Sequence, residues 1–85
     1  MSQIEIYTKK WCGYCSMAKM LLDKHHIKYQ EYDVTSDRAK EMEMMERSGK
    51  RTVPQIFIDN QPIGGFTDLA ALSMKTDLSK LADET

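Results

Sequence analysis

The sequence has little of what membrane, secreted or nucleic-acid-binding proteins require. Its 12 Lys and Arg nearly balance its 13 Asp and Glu, so a net charge of −1 gives no attraction for nucleic acid or an anionic membrane. No hydrophobic run approaches the roughly 20 residues of a membrane-spanning helix. The first residues alternate like a strand, so we expect no secretory signal peptide. These absences predict one domain over residues 1–85, with neither nucleic acid nor membrane as a partner.

Cysteine is scarce as well, and the two cysteines stand close together in Cys12-Gly13-Tyr14-Cys15. Small secreted domains usually carry more cysteines as structural disulfides, so the pair indicates a reactive dithiol in a reducing, cytoplasmic compartment. A zinc site needs four ligands, and the chain has no second C-x-x-C. His25-His26 lies at the far end of the helix that follows Cys12, so we predict no metal site.

Hydrophobic periodicity predicts alternating strands and helices. In chain order the predicted elements are a strand over 4–7, a helix over 13–25, a strand over 27–34, a helix over 37–47, strands over 54–58 and 61–64, a helix that Thr67 or Asp68 caps and that runs to about 74, and one more helical turn over 77–81. The first two strands should be parallel with a right-handed crossover, and the last two an antiparallel hairpin. Pro62 cannot donate to a ladder, which favours the sheet edge for the last strand. The prediction is an α/β fold: a four-stranded mixed sheet with helices on both faces.

The C-x-x-C motif lies where the first strand gives way to a helix. Unpaired N–H groups and the helix dipole favour negative charge at a helix N-terminus, and the thiolate is the nucleophilic form of cysteine. Cys12 is nearest the helix start and is the candidate nucleophile. Cys15 lies one turn further in, and we expect it to be the less exposed, resolving thiol, which attacks a mixed disulfide on Cys12.

Three separated segments closely resemble the glutaredoxins, small members of the thioredoxin-like fold. They are Cys12-Gly13-Tyr14-Cys15 preceded by Tyr7-Thr8-Lys9, then Thr52-Val53-Pro54, and finally Gly64-Gly65-Phe66-Thr67-Asp68-Leu69. The resemblance implies a glutathione-dependent thiol–disulfide oxidoreductase that reduces protein disulfides and protein–glutathione mixed disulfides. It also implies a monomer that uses glutathione as co-substrate and needs no metal or organic cofactor.

The same resemblance implies a glutathione site around the cysteines. Pro54 would be cis and would face them, leaving the Val53 backbone free to pair with a peptide. Thr67 and Asp68 would hold the γ-glutamyl end. The implied glutathione-binding residues are Lys9, Tyr14, Thr52, Val53, Pro54, Gly65, Phe66, Thr67 and Asp68. Without the resemblance, Pro54 would be a trans proline opening an edge strand and Asp68 an ordinary helix cap.

The glycyl carboxylate of glutathione needs a cation, and Lys9 is the first choice, with Arg51 and Arg38 as weaker candidates. Each of these cations could instead be a solvated surface charge. Glu41 stands in the region where the family often contributes a polar or basic contact to the glycyl end.

Departures from the family pattern keep two alternatives open. Gly13 stands where many glutaredoxins have proline, and this makes a dimeric carrier of a glutathione-ligated [2Fe–2S] cluster possible. Trp11 resembles the residue before the first cysteine in thioredoxins, and Phe66 replaces a residue that is often small or polar. These two residues suggest an electron donor reduced by thioredoxin reductase instead of glutathione.

Overall fold

The computed structural model describes residues 3–75, so the helical turn predicted over 77–81 lies outside the described residues. In chain order the elements are β1 (Ile4–Thr8), α1 (Gly13–Lys24), β2 (Gln30–Asp33), α2 (Arg38–Ser48), β3 (Gln55–Ile58), β4 (Gln61–Gly64) and α3 (Phe66–Lys75). None of the helices in this described part is long and apolar enough to cross a bilayer.

The four strands form one mixed sheet in the order β2-β1-β3-β4. β1 pairs with β2 in parallel, whereas β3 is antiparallel to both β1 and β4. β4 with its Pro62 lies at an edge, as its missing N–H predicts. Asp59 and Asn60 connect β3 to β4 with φ angles of 51° and 70°, the backbone conformation of a tight two-residue hairpin turn. The predicted topology is therefore confirmed.

Helices cover both faces of the sheet, each over its own cluster of buried side chains. Successive residues of a strand point to opposite faces, so Ile4 and Ile6 face one side and Tyr7 the other. The cluster under α1 and α3 consists of Ile4, Ile6, Ala18, Leu22, Ile27, Ile56 and Leu69. The cluster under α2 consists of Tyr7, Val34, Met44 and Phe57.

The second strand is shorter than predicted, because Ile27 belongs to the end of α1. The Ile27 N–H donates to the Leu22 carbonyl at 3.0 Å and the His26 N–H to the Asp23 carbonyl at 3.0 Å. These two bonds, with His26 at φ 57°, form a Schellman cap in which Ile27 packs onto Leu22. The apolar alternation from Ile27 therefore reflects burial of the loop, and ladder pairing starts at Gln30.

An ion pair fastens α2 to the sheet. Arg47 donates from Nη2 to Glu5 Oε1 at 2.9 Å and from Nη1 to the Tyr7 hydroxyl at 2.7 Å. Its guanidinium also lies 4.1 Å from the centre of the Phe57 ring. Glu5 is only 7% exposed, and the hydrogen bond from Arg47 holds the pKa of its carboxyl below the ordinary value of 4.5. The Tyr32 hydroxyl also donates to Glu5, so this buried carboxylate is well satisfied.

Candidate active site

Cys12 is the N-cap residue of α1. Its Sγ accepts the backbone N–H of Cys15 at 3.2 Å, and its carbonyl accepts the N–H of Ser16 at 3.2 Å. Trp11, just before it, has a φ of 56° and a side chain that is 96% exposed. The sulfur thus sits at the positive end of the helix with an N–H aimed at it, an arrangement that stabilises negative charge on the sulfur.

Cys15 occupies a different environment one helical turn away. It is 2% exposed, whereas Cys12 is half-buried. Burial first, and then its hydrogen bond with Cys12, raise the pKa of Cys15 to about 12. The structure therefore confirms the predicted difference in exposure. One thiol can meet an incoming disulfide, and the other stays protonated behind it near neutral pH.

The loop before β3 brings a second backbone segment to Cys12. The Val53–Pro54 peptide bond is cis, as the family resemblance implied. The Cys12 S–H donates to the Val53 carbonyl at 3.8 Å. Gln55, which is 2% exposed, holds this loop by donating from Nε2 to both the carbonyl and the hydroxyl of Thr52, at 2.9 and 3.0 Å.

Seven of the nine residues predicted to bind glutathione line one open cleft of about 290 Å³ beside Cys12. They are Tyr14, Thr52, Val53, Pro54, Gly65, Phe66 and Thr67. The Tyr14 and Phe66 rings stack with centroids 6.1 Å apart. An open cleft with a stacked aromatic pair, a backbone edge and a helix N-terminus suits a small extended peptide.

The start of α3 corrects one prediction. The helix begins at Phe66, and neither Thr67 nor Asp68 is its N-cap residue. Asp68 instead reaches back from the first turn, and its Oδ2 accepts the Gly65 N–H at 3.0 Å. Gly64 has a φ of 119°, and a Cβ built there would collide with the Asp68 carboxylate. Asp68 is therefore a local cap of α3, which leaves its Oδ1 for other partners.

Lys9 lies in an ion pair. Its Nζ is 2.8 Å from Glu41 Oε2, and the second oxygen of the same carboxylate lies 2.7 Å from Arg38 Nη1. Lys9 and Arg38, two of the three cations proposed for the glycyl carboxylate, thus both pair with the carboxylate of Glu41. Arg51, the third, is exposed in the loop before Thr52.

Sequence reasoning missed two contributions to the site. The sequence patterns place Gln55 only in a strand. A polar residue between Pro54 and the apolar run Ile56-Phe57-Ile58 is the signal that could have identified its role in holding the Thr52 loop. The Lys9–Glu41 pair joins residues 32 positions apart, and local sequence patterns carry no signal for it. Within residues 3–75, no group of three or more His, Cys, Asp and Glu side chains is placed to hold a metal ion.

Comparisons with known proteins agree with this geometry. The glutaredoxin family model matches residues 4–63. Glutaredoxin 3 of Escherichia coli (strain K12) is 49% identical over 81 residues, which are 95% of this chain and 98% of that protein. A buckwheat glutaredoxin–glutathione complex superposes with a TM-score of 0.85 at 28% identity, covering 98% of this chain and 78% of that one. The solution structure of a Brucella melitensis glutaredoxin has a TM-score of 0.79 at 40% identity, covering 94% and 87%.

A four-stranded mixed sheet with a half-buried cysteine at a helix N-cap and a fully buried one behind it defines a thioredoxin-like thiol–disulfide oxidoreductase. The family match and the identity to known relatives specify the branch. The chain belongs to the glutaredoxin family.

Proposed function

We propose that this glutaredoxin reduces protein–glutathione mixed disulfides and protein disulfides with glutathione as its reductant. The observation that carries the proposal is the position of Cys12 Sγ, which caps α1, lies 3.8 Å from the Val53 carbonyl and adjoins the cleft between Tyr14 and Thr67. A half-buried sulfur at a helix N-cap, next to a peptide-sized cleft, suits attack on the disulfide of a bound γ-glutamyl peptide.

The cleft offers partners for the cysteinyl and γ-glutamyl parts of glutathione. The Val53 backbone can pair with the cysteinyl residue as a short added strand. The first N–H groups of α3 have no acceptors within the helix and suit the γ-glutamyl carboxylate, with Asp68 beside them for its ammonium group. The structural similarity to a buckwheat glutaredoxin in complex with glutathione supports the same ligand here.

The proposed reaction moves two electrons between sulfur atoms. The Cys12 thiolate attacks the glutathione sulfur of a mixed disulfide, forming a Cys12–glutathione disulfide and releasing the protein thiolate, which takes up a proton. A second glutathione, as thiolate, attacks the sulfur held by Cys12. This step forms glutathione disulfide and returns the Cys12 thiolate, so two glutathione-derived sulfurs end as one disulfide and the protein thiol is restored.

Protein disulfides would follow a route that also uses Cys15. Cys12 attacks the substrate disulfide, and Cys15 then loses its proton and attacks the Cys12 sulfur, releasing the reduced protein and leaving a Cys12–Cys15 disulfide. Two glutathiones reduce that disulfide. Because burial keeps the Cys15 thiol protonated, its proton has to leave as it attacks.

A glutathionylated peptide tests the proposal with glutathione and glutathione reductase as the recycling system. We expect Cys12→Ser to reduce turnover to the uncatalysed rate and Cys15→Ser to keep most of it, because only Cys12 is needed for the mixed-disulfide route. Retained turnover in Cys12→Ser would contradict the assignment of the nucleophile. Turnover of wild-type protein with thioredoxin reductase, and none with glutathione, would favour the reductase-coupled alternative instead.

The exposed Trp11 and the cleft position of Phe66 favour the electron donor reduced by thioredoxin reductase as the second candidate, since both residues present aromatic surface to a protein partner.

The [2Fe–2S] carrier stays a prediction, because it would take one cysteine from each of two chains. Visible absorbance after anaerobic reconstitution with iron, sulfide and glutathione is its test.

The proposal further includes a monomer as the working form, disulfide-containing and glutathionylated proteins as substrates, and the cytoplasm as compartment, where glutathione keeps thiols reduced.

A further inference from the structure

Glu41 uses both of its carboxylate oxygens on cations beside the candidate active site. Oε2 lies 2.8 Å from Lys9 Nζ, and Oε1 lies 2.7 Å from Arg38 Nη1. The Glu41 side chain is 19% exposed, against 38% for Lys9 and 71% for Arg38. The carboxylate is thus the most enclosed member of the group. The hydrogen bonds from Lys9 and then Arg38 keep the pKa of Glu41 below its usual value, so it remains charged at neutral pH.

This arrangement bears on how a negatively charged ligand end can bind. Lys9 stands three residues before Cys12, and its ammonium group is a compact charge on a flexible stem. A ligand carboxylate that approaches Lys9 has to displace Glu41 or share the ammonium with it. Sharing places two like charges close together, which costs free energy, and displacement gives up an existing ion pair.

We propose that Glu41 is a specificity-determining residue, which competes with the terminal carboxylate of a γ-glutamyl thiol for Lys9 and Arg38. The inference rests on the proposed function, in which glutathione is the ligand. The site would then bind glutathione mainly through its γ-glutamyl and cysteinyl parts. It would accept γ-glutamylcysteinyl thiols with an uncharged carboxyl end nearly as well as glutathione itself.

The test compares two ligands on the same protein. In a Cys15→Ser background, the Cys12 thiolate and glutathione disulfide exchange to a Cys12–glutathione disulfide plus a glutathione thiolate, and mass spectrometry of the full chain gives the equilibrium constant. The second ligand is the disulfide of glutathione amidated at its glycyl carboxylate. With Glu41 present, we expect the two constants to agree within about twofold.

Glu41→Gln frees Lys9 and Arg38 while keeping the size of the side chain. We expect the constant for glutathione to rise about two- to fivefold, in the range of partly exposed ion pairs, and that for the amide to stay unchanged. Lys9→Gln in the same background should remove most of this gain. A general effect of net charge or stability would change the equilibrium constants of both ligands by the same factor, so the ratio of the two constants isolates the competition.

Glu46→Gln is the matched control, because Glu46 is exposed on the same helix and its replacement changes net charge equally. It should leave both constants at their starting values. Equal changes for the two ligands in Glu41→Gln, or no change at all, would overturn the inference while glutathione exchange itself remained. If Cys12 exchanges with glutathione disulfide no better than with hydroxyethyl disulfide in every variant, the proposed function fails and this inference with it.

Discussion

Two identical side chains acquire different chemistry through their positions on one helix. Cys12 is the cap residue and receives an N–H on its sulfur, whereas Cys15 is buried in the first turn. The cap position stabilises charge, and burial penalises it. A C-x-x-C spacing sets the distance between the sulfurs, but the helix start between them gives the two sulfurs different environments.

The thiol of Cys15 should ionise only at strongly alkaline pH. In Cys12→Ser, Cys15 is the single remaining thiol, and burial, the largest cause of its shift, is retained. We expect the thiolate ultraviolet absorbance of the folded variant, taken as the difference from a chain that also carries Cys15→Ser so that tyrosine absorbance cancels, to appear only well above the free thiol value, because burial opposes ionisation. The same variant unfolded in denaturant is the control and should titrate near the free value of roughly 8.5. A folded-state midpoint near that free value would contradict the buried environment of Cys15.

At the scale of elements, the junction of β4 and α3 connects backbone conformation to the ligand cleft. Gly64 turns the chain with a positive φ, and Asp68 closes the turn by accepting the Gly65 N–H. A Cβ at Gly65 would lie 3.4 Å from the Pro54 carbonyl oxygen. This turn delivers the free N–H groups of α3 to the same side as Cys12. The junction therefore sets both the stability of α3 and the position of an anion-binding helix end.

Gly64→Ala should damage this junction more than an ordinary glycine replacement does. The new methyl group would meet the Asp68 carboxylate, in addition to a φ of 119° that alanine rarely adopts. We expect a loss of about 2–3 kcal/mol in the free energy of unfolding, measured by urea denaturation, and weaker Cys12–glutathione exchange.

Gly49→Ala is its matched control, since Gly49 also has a positive φ, 74°, but nothing lies within 4 Å of the position that a Cβ would take there. It should lose only about 1 kcal/mol from backbone strain and leave the exchange constant unchanged. Equal losses in the two variants would show that the Asp68 contact at Gly64 has no energetic weight.

Sequence patterns predicted those parts of the fold that depend on short-range chemistry. Gly49 at the end of α2 and Asp59-Asn60 in the hairpin are direct signals of backbone conformation. His26 adopts the left-handed conformation without being glycine, so the start of β2 was predicted at Ile27, three residues too early. The sequence offered Thr67 or Asp68 as the N-cap of α3, and only the path of the preceding turn shows that the helix starts earlier, at Phe66. The Lys9–Glu41 pair depends on how α2 lies over the end of β1, which no local pattern specifies.

At the scale of the whole molecule, the sheet separates the two helices that carry the cysteine cleft from the helix that carries the buried Glu5–Arg47 ion pair. α1 and α3 begin at the cysteine cleft on one face, and α2 covers the other over a network centred on Glu5, Arg47 and Tyr7. A charge buried against the sheet is favourable only while it is paired. Removing one member of this network should therefore affect the stability of the fold without entering the cleft.

Glu5→Gln should lower stability at neutral pH and flatten its acid dependence. The pKa of Glu5 is lower in the folded chain than its ordinary value of 4.5, so its contribution is present above that pH and is lost as pH falls through the folded-state pKa. We expect a loss of about 2–4 kcal/mol near neutral pH and a smaller loss at acid pH, measured by urea denaturation across the pH range. Exposed Glu46→Gln is the control. A pH profile of Glu5→Gln parallel to that of the unchanged chain would contradict the role of the pair.

The exposed indole of Trp11 gives the molecule a built-in optical reporter. It is the single tryptophan of the chain, it is 96% exposed, and it directly precedes Cys12. Its emission is therefore free of background from other indoles and originates at the rim of the reaction centre. A disulfide at Cys12 would quench the indole emission, and a docked protein would shield the indole from water. The intensity and the wavelength maximum of the Trp11 emission therefore report oxidation and partner binding without any added dye.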